Sequence, residues 1–154
     1  MAKRIWLPSL LVVVVFSVTV IFCGANFFTF FDLPSLILVP IAPFLFMILS
    51  YGWKGTREAF TAPFKAGSTK RELGLSASFF KSFGNAIWCF GALGSTSGLI
   101  TVLAYLTDKT KVGPNSAIAL ITMLYAAIFN AALTLPFLAL ARRKLADIDD
   151  TKRD

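Results

Sequence analysis

Along most of this chain the apolar positions neither alternate nor recur at a helical spacing; they run on almost without interruption. Four stretches behave this way, residues 5–25, 35–53, 83–106 and 115–145. A hydrocarbon layer about 30 Å thick is crossed by roughly 20 apolar helical residues. A helix that is apolar all round belongs in lipid or in a protein core. The pattern therefore predicts an all-α membrane protein of four transmembrane helices, forming one bundle over residues 1–154 with no separate soluble domain. Polar residues gather in the gaps. The longest, 54–82, is expected to form at most two short amphipathic helices, with Trp53, Phe60, Phe64, Phe79 and Phe80 dipping into the interface and the lysines outside it.

Within the apolar runs, three departures stand out. The second holds Pro40 and Pro43, each of which removes a backbone donor. A kinked packing helix is favoured there over a gating hinge, because proline is common in membrane spans. The third run repeats glycine at Gly84, Gly91 and Gly98, one helix face, with Gly94 and Ser95 between them. Small residues let backbones approach closely where lipid gives no hydrophobic drive to associate, so this face either packs on another helix or lines a narrow pore. Hydroxyls are the third departure: Ser95, Thr96 and Ser97 lie mid-span, and Thr122, Asn130 and Thr134 follow on the fourth run. One serine or threonine usually bonds back to its own helix; several on facing helices can form a polar lining.

Charge adds orientation. Lys3 and Arg4 precede the first run, Lys54, Arg57, Lys65, Lys70, Arg71 and Lys81 lie between the second and third, and Arg142, Arg143, Lys144, Lys152 and Arg153 close the fourth. Basic residues are retained on the cytoplasmic side of short loops, so both termini and the loop 54–82 are expected in the cytoplasm. The net charge of +7 then reads as topology plus contact with anionic lipid headgroups. Nothing supplies the folded basic surface that nucleic-acid binding needs. A cleavable signal sequence is imitated by the basic start and by Cys23, Gly24 and Ala25, but the apolar run is long and Phe22 spoils the site, so a retained first span is expected. Cys23 and Cys89 belong near opposite faces and make neither a disulfide nor a metal motif.

Asp and Glu are missing from the apolar runs, Lys and Arg enter them only at the basic end of the fourth, at Arg142, Arg143 and Lys144, and the chain has no histidine. Proton pumps and carriers need an intramembrane group to hold the charge. Either this chain moves no ions, or a partner brings the carboxylate. No acid/base pair, metal cluster, activated nucleophile or phosphate-cradling loop is present, so neither an enzyme nor a cofactor or metal site is expected.

Three segments carry a resemblance. FFDLPSLILV, from Phe30 to Val39, looks like the opening of the second helix in MotA proteins; GALGSTSGLITVLAYLTD, from Gly91, resembles the GxxGTxxGLIxxL pattern of their third helix. VGPNSAIALITMLYAAIFNAALTLPFLA, from Val112, resembles the GPxMAxALLTTLYGxxxANxxxxPxA of the fourth. The chain thus resembles the A-subunits of the MotA/TolQ/ExbB family, with a number of spans closer to MotA than to TolQ or ExbB. The resemblance implies a homopentameric ring in the bacterial inner membrane around a B-type, MotB/ExbD-like single-span partner whose Asp carries the ion. Its third and fourth helices would form the inner ring. It implies Ser95 and Thr122 as ion-path hydroxyls, Gly91, Gly94 and Gly98 as the pore and packing face, and Tyr125 as a residue that orients or packs.

Against the family pattern, Trp88 replaces a proline before the glycine motif and is expected at the cytoplasmic mouth together with Met123, which replaces the second threonine of a pair. Losing that oxygen disfavours Na+, a hard ion that wants oxygen ligands, so H+ is the preferred ion. The short loop 54–82 stands where flagellar MotA has a large torque-transmitting domain. The expected function is therefore the channel subunit of a proton-motive-force-driven rotary complex, serving a load other than an ordinary flagellar rotor. A non-conducting structural or assembly ring subunit is the alternative, and a stand-alone transporter ranks last.

Overall fold

The computed structural model describes residues 6–24 and 26–150. Helix α1 is Trp6–Phe22, a 3-10 turn covers Phe27–Phe30, α2 is Leu33–Thr61 and α3 is Lys70–Ala104. Helix α4, Lys109–Phe129, runs through a π turn at Asn130–Thr134 into α5, Leu135–Asp150. No strand occurs among the described residues. Three of these helices are long and apolar enough to cross a membrane: Leu33–Thr61, Lys70–Ala104 and the continuous Lys109–Asp149. The molecule is a multi-pass, all-α membrane protein. Helix α1 has 17 described residues, about 26 Å at 1.5 Å per residue; the expected span ends Ile5 and Ala25, and Lys3, Arg4, Lys152 and Arg153 of the charge argument, lie outside the described residues.

Local chemistry fixes where each helix begins. Asp32 caps α2 by accepting the Ser35 N–H at 2.9 Å, and Pro34 sits in the first turn, where its missing N–H costs nothing. Thr69 and Glu72 form a reciprocal capping box at the start of α3. Pro40 and Pro43 stay inside a continuous α2. The break comes instead at Gly52, whose φ of 72° is left-handed and suits glycine.

The stretch 54–82 corrects the expectation of separate interfacial helices. Residues up to Thr61 prolong α2 beyond the Gly52 kink, and Lys70 onwards belongs to α3, so the two helices extend as one hairpin. Phe79 and Phe80, expected to dip into the interface, are fully buried. The physical reason is that the chain carries enough rings to pack them on one another. Phe60 lies 5.0 Å from Phe80, Phe80 4.7 Å from Phe137, and Tyr51 5.2 Å from Phe79. Trp53 and Phe64 remain exposed.

The bundle consequently has two unlike ends. At one, the hairpin extension is closed by Lys70–Asp149 at 2.6 Å and by Lys144 donating to the Lys65 carbonyl. At the other lie the short connections after α1 and after α3. Helix α2 starts level with Gly94 of α3, so the α3–α4 hairpin continues past it by roughly 15 Å and leaves Leu99, Ile100, Leu103 and Leu120 exposed.

Candidate functional site

Helices α3 and α4 run antiparallel along a seam built on missing side chains. A Cβ on Gly91 would meet the Ala126 Cβ at 2.5 Å, one on Gly94 the Thr122 Cγ2 at 2.5 Å, and one on Gly98 the Ala119 Cβ at 2.8 Å. Gly84 continues the series against Asn130 and Thr134. Of the two readings open for the glycine face, the structure thus places it in a helix contact inside one chain. Gly94 and Gly98 also border an open groove.

That groove, about 480 Å³, lies between the start of α2 and the projecting α3–α4 hairpin. Its polar lining comes from Ser35, Ser97, Thr101, Asn115 and Thr122. Ser97 donates to the Leu93 carbonyl at 2.8 Å and Thr101 to the Ser97 carbonyl at 2.9 Å, so both present oxygen lone pairs rather than protons. The floor is a buried pair: Ser35 Oγ and Thr122 Oγ1 are 2.8 Å apart. Thr122 also donates to the Ile118 carbonyl at 2.8 Å. Its one proton being used there, Ser35 must donate to Thr122. The pair therefore faces the groove as an acceptor, suited to a protonated carboxylic acid, a hydronium or a small cation, and unsuited to a carboxylate.

Tyr125, one turn along α4, is buried and ties the same region down: its hydroxyl donates to the Phe30 carbonyl at 2.5 Å and accepts the Asp32 N–H at 3.2 Å. Thr122 and Tyr125 together clip the start of α2 onto α4. Ser95 is half-buried and is not among the groove-lining residues; Ser97 and Thr101 line it instead. Trp88 and Met123 are both exposed. Met123 lies beside Thr122, level with Gly94, whereas Trp88 is six residues nearer the aromatic end, about 9 Å along the helix. Ser35 and Asp32 were missed as site residues. The signal was the Asp-x-Pro-Ser step itself, a helix cap whose fourth residue points back at its neighbours. Among the described residues no cluster of His, Cys, Asp and Glu could hold a metal ion.

An all-α, multi-pass protein with a glycine seam and a hydroxyl-floored groove is the class these features define. No family model matches the chain. It is similar to the Chemotaxis protein PomA of Vibrio alginolyticus, 35% identical over 57 residues, which cover 37% of this chain and 22% of the relative. It is also similar to Motility protein A of Aquifex aeolicus, 47% identical over 47 residues, 30% of this chain and 18% of the relative. The match spans about a fifth of the length of these curated relatives.

Proposed function

We propose that this chain is the channel-forming A-subunit of an ion-driven, stator-like membrane complex. The observation that carries the reading is the acceptor pair Ser35–Thr122 flooring an open groove, in a chain whose apolar runs hold no carboxylate of their own. Local similarity to two motility proteins supports it. The groove end faces the periplasm and the aromatic hairpin the cytoplasm, following the basic residues. A B-type single-span partner brings an Asp, and several copies of this chain, five by resemblance, surround the partner helices.

The chemistry then proceeds in balanced steps. A proton arriving from the outer side neutralises the partner carboxylate, which lowers the cost of placing it in a low-dielectric seam. The carboxylic acid O–H donates to a lone pair of Ser35 or Thr122. Release of the proton to the cytoplasm regenerates the carboxylate, which the acceptor pair repels, and the helices shift. H+ is the proposed ion, since Met123 offers no oxygen beside Thr122 to complete a Na+ shell.

A second reading has its own observation. Both hydroxyl protons of the pair are used within the chain, which is how a purely structural clip would be built, and a ring subunit that conducts nothing would retain it. Flux measurement separates the two. With the partner co-expressed and the complex in vesicles, Thr122→Leu should abolish proton uptake while native mass spectrometry still finds the ring with its partner. Unchanged uptake in that variant would sink the ion-path reading, and absence of any Asp-bearing partner from the gently purified complex would favour the structural one.

A further inference from the structure

The groove accounts for one polar level of the α3–α4 seam; a second level lies about two turns further along α4, and nothing in the proposed function uses it. Asn130 Oδ1 and Thr134 Oγ1 are both buried without a hydrogen-bond partner. Thr134 is 1% exposed. An unpaired buried polar atom is costly and rare in folded proteins, so two of them four residues apart call for a partner.

The cause begins with Pro136. It has no N–H for the carbonyl of Ala132, four residues earlier, and its ring crowds that carbonyl. The helix responds by widening into the π turn Asn130–Thr134, where the Leu135 N–H bonds to the Asn130 carbonyl instead. Ser9 of α1 donates to the orphaned Ala132 carbonyl at 2.5 Å. Thr134 pays no such local bond. Elsewhere Thr19, Thr56, Ser97, Thr101, Ser116 and Thr122 each donate to the carbonyl four residues back. On the π turn that ladder is out of step, so the Thr134 hydroxyl makes no such bond. Across the seam, Gly84 leaves room for both side chains: its absent Cβ would lie 2.7 Å from Asn130 Oδ1 and 2.9 Å from Thr134 Cγ2.

We infer that one water molecule is bound in this π turn, donating to Asn130 Oδ1 and accepting the hydroxyl proton of Thr134. Water fits where a cation does not. Two neutral oxygens cannot replace an ion's hydration shell, and the surrounding apolar runs hold no Asp or Glu to compensate a cation. A buried polar niche that supplies hydrogen-bond partners is where proteins keep structural water. The inference stands apart from the ion-path reading, since a conducting complex and a silent ring would hold this water equally.

Thr134→Val tests it, because valine keeps the shape and removes only the hydroxyl. With water bound, the full chain in nanodiscs should melt about 2–4 °C lower, and Thr134→Ser should restore the loss. If the niche is dry, valine instead relieves an unpaired polar group, and an unchanged or raised Tm would overturn the inference. A density map fine enough to show ordered water should place one between the two oxygens. A dry contact of Asn130 Oδ1 on the Gly84 backbone would overturn the inference, as would a Tm that rises with Na+ but not with K+ in the wild type and is flat in the variant.

Discussion

The two ends of the bundle are held together by opposite means. Around Phe60, Phe79, Phe80, Phe83 and Phe137, large rings meet at centroid distances of 4.7–6.0 Å, four pairs edge to face and two, Phe79–Phe83 and Phe80–Phe137, tilted, and the side chains fill the space between helices. Around Gly91, Gly94 and Gly98 the space itself has been removed, and helix backbones close on Ala119, Thr122 and Ala126. The aromatic end therefore derives its stability from buried area, the seam from van der Waals fit. An end built on area tolerates small shifts; one built on fit does not. The seam is also where hydroxyls and an open groove sit, so the same close approach that packs α3 on α4 brings their oxygens within reach of a visiting group.

The largest effect is expected from emptying the aromatic end. Phe80 is fully buried and touches Phe60, Phe79 and Phe137, so Phe80→Ala should cost about 3–5 kcal/mol and sharply reduce the yield of folded protein, read by size-exclusion profile in detergent. A well-behaved, monodisperse Phe80→Ala protein would mean that the hairpin extension contributes little to the bundle. Next comes the seam. Gly91→Ala sets a methyl 2.5 Å from that of Ala126 and should destabilise by about 1–3 kcal/mol. Ala126→Gly in the same chain should recover most of it, because the space is returned from the other side. Failure of the double variant to recover would break the claim that these two residues are the contact, and with it the contrast between the ends.

That contrast was half legible in the sequence. The glycine spacing marks one face, and the hydroxyls mark polarity, because both follow from the period of the helix alone. What the sequence leaves open is which helix meets that face, a tertiary fact; here it is α4 of the same chain. The aromatic end was misread for a physical reason. Phe79 and Phe80 beside lysines resemble an interfacial helix in composition, and only their proximity to Phe60 and Phe137, residues distant along the chain, shows them to be core. Ser35 was overlooked because a hydroxyl in the first turn of a helix reads as local capping, whereas its oxygen bonds across to Thr122. The non-helical backbone inside α2 falls at Gly52, which the reading of the prolines did not mark, since a positive φ is open chiefly to glycine.

A smaller change should separate the clip from the groove. Ser35→Ala removes the donor to Thr122 and leaves one acceptor in place, a loss of about 1 kcal/mol. In the conducting reading, flux should fall less than in Thr122→Leu, because Thr122 still presents an oxygen to the groove. Equal loss in both variants would mean that the start of α2, not the oxygen, is what matters, and would move the weight of the site from chemistry to packing.

The smallest expected effect lies at the start of α3, outside the apolar layer. Backbone and side-chain hydrogen bonds from Thr69, helped by Lys65 at 3.2 Å, hold the Glu72 carboxyl below its usual range. A carboxyl whose folded pKa is depressed stabilises the fold at pH values above its ordinary, unfolded value, and that contribution is lost as pH falls through the lower folded value. Tm should therefore decline on acidification through and below the ordinary glutamate range, and Glu72→Gln should lose part of that slope while changing Tm little at low pH. Because Lys65 is exposed and Glu72 only half-buried, raising the salt concentration should weaken the Lys65 contribution but leave the Thr69 hydrogen bonds in place. A slope removed entirely by salt would assign the effect to the ion pair and not to the cap, and would detach the hairpin extension from the Thr69–Glu72 capping box at its start.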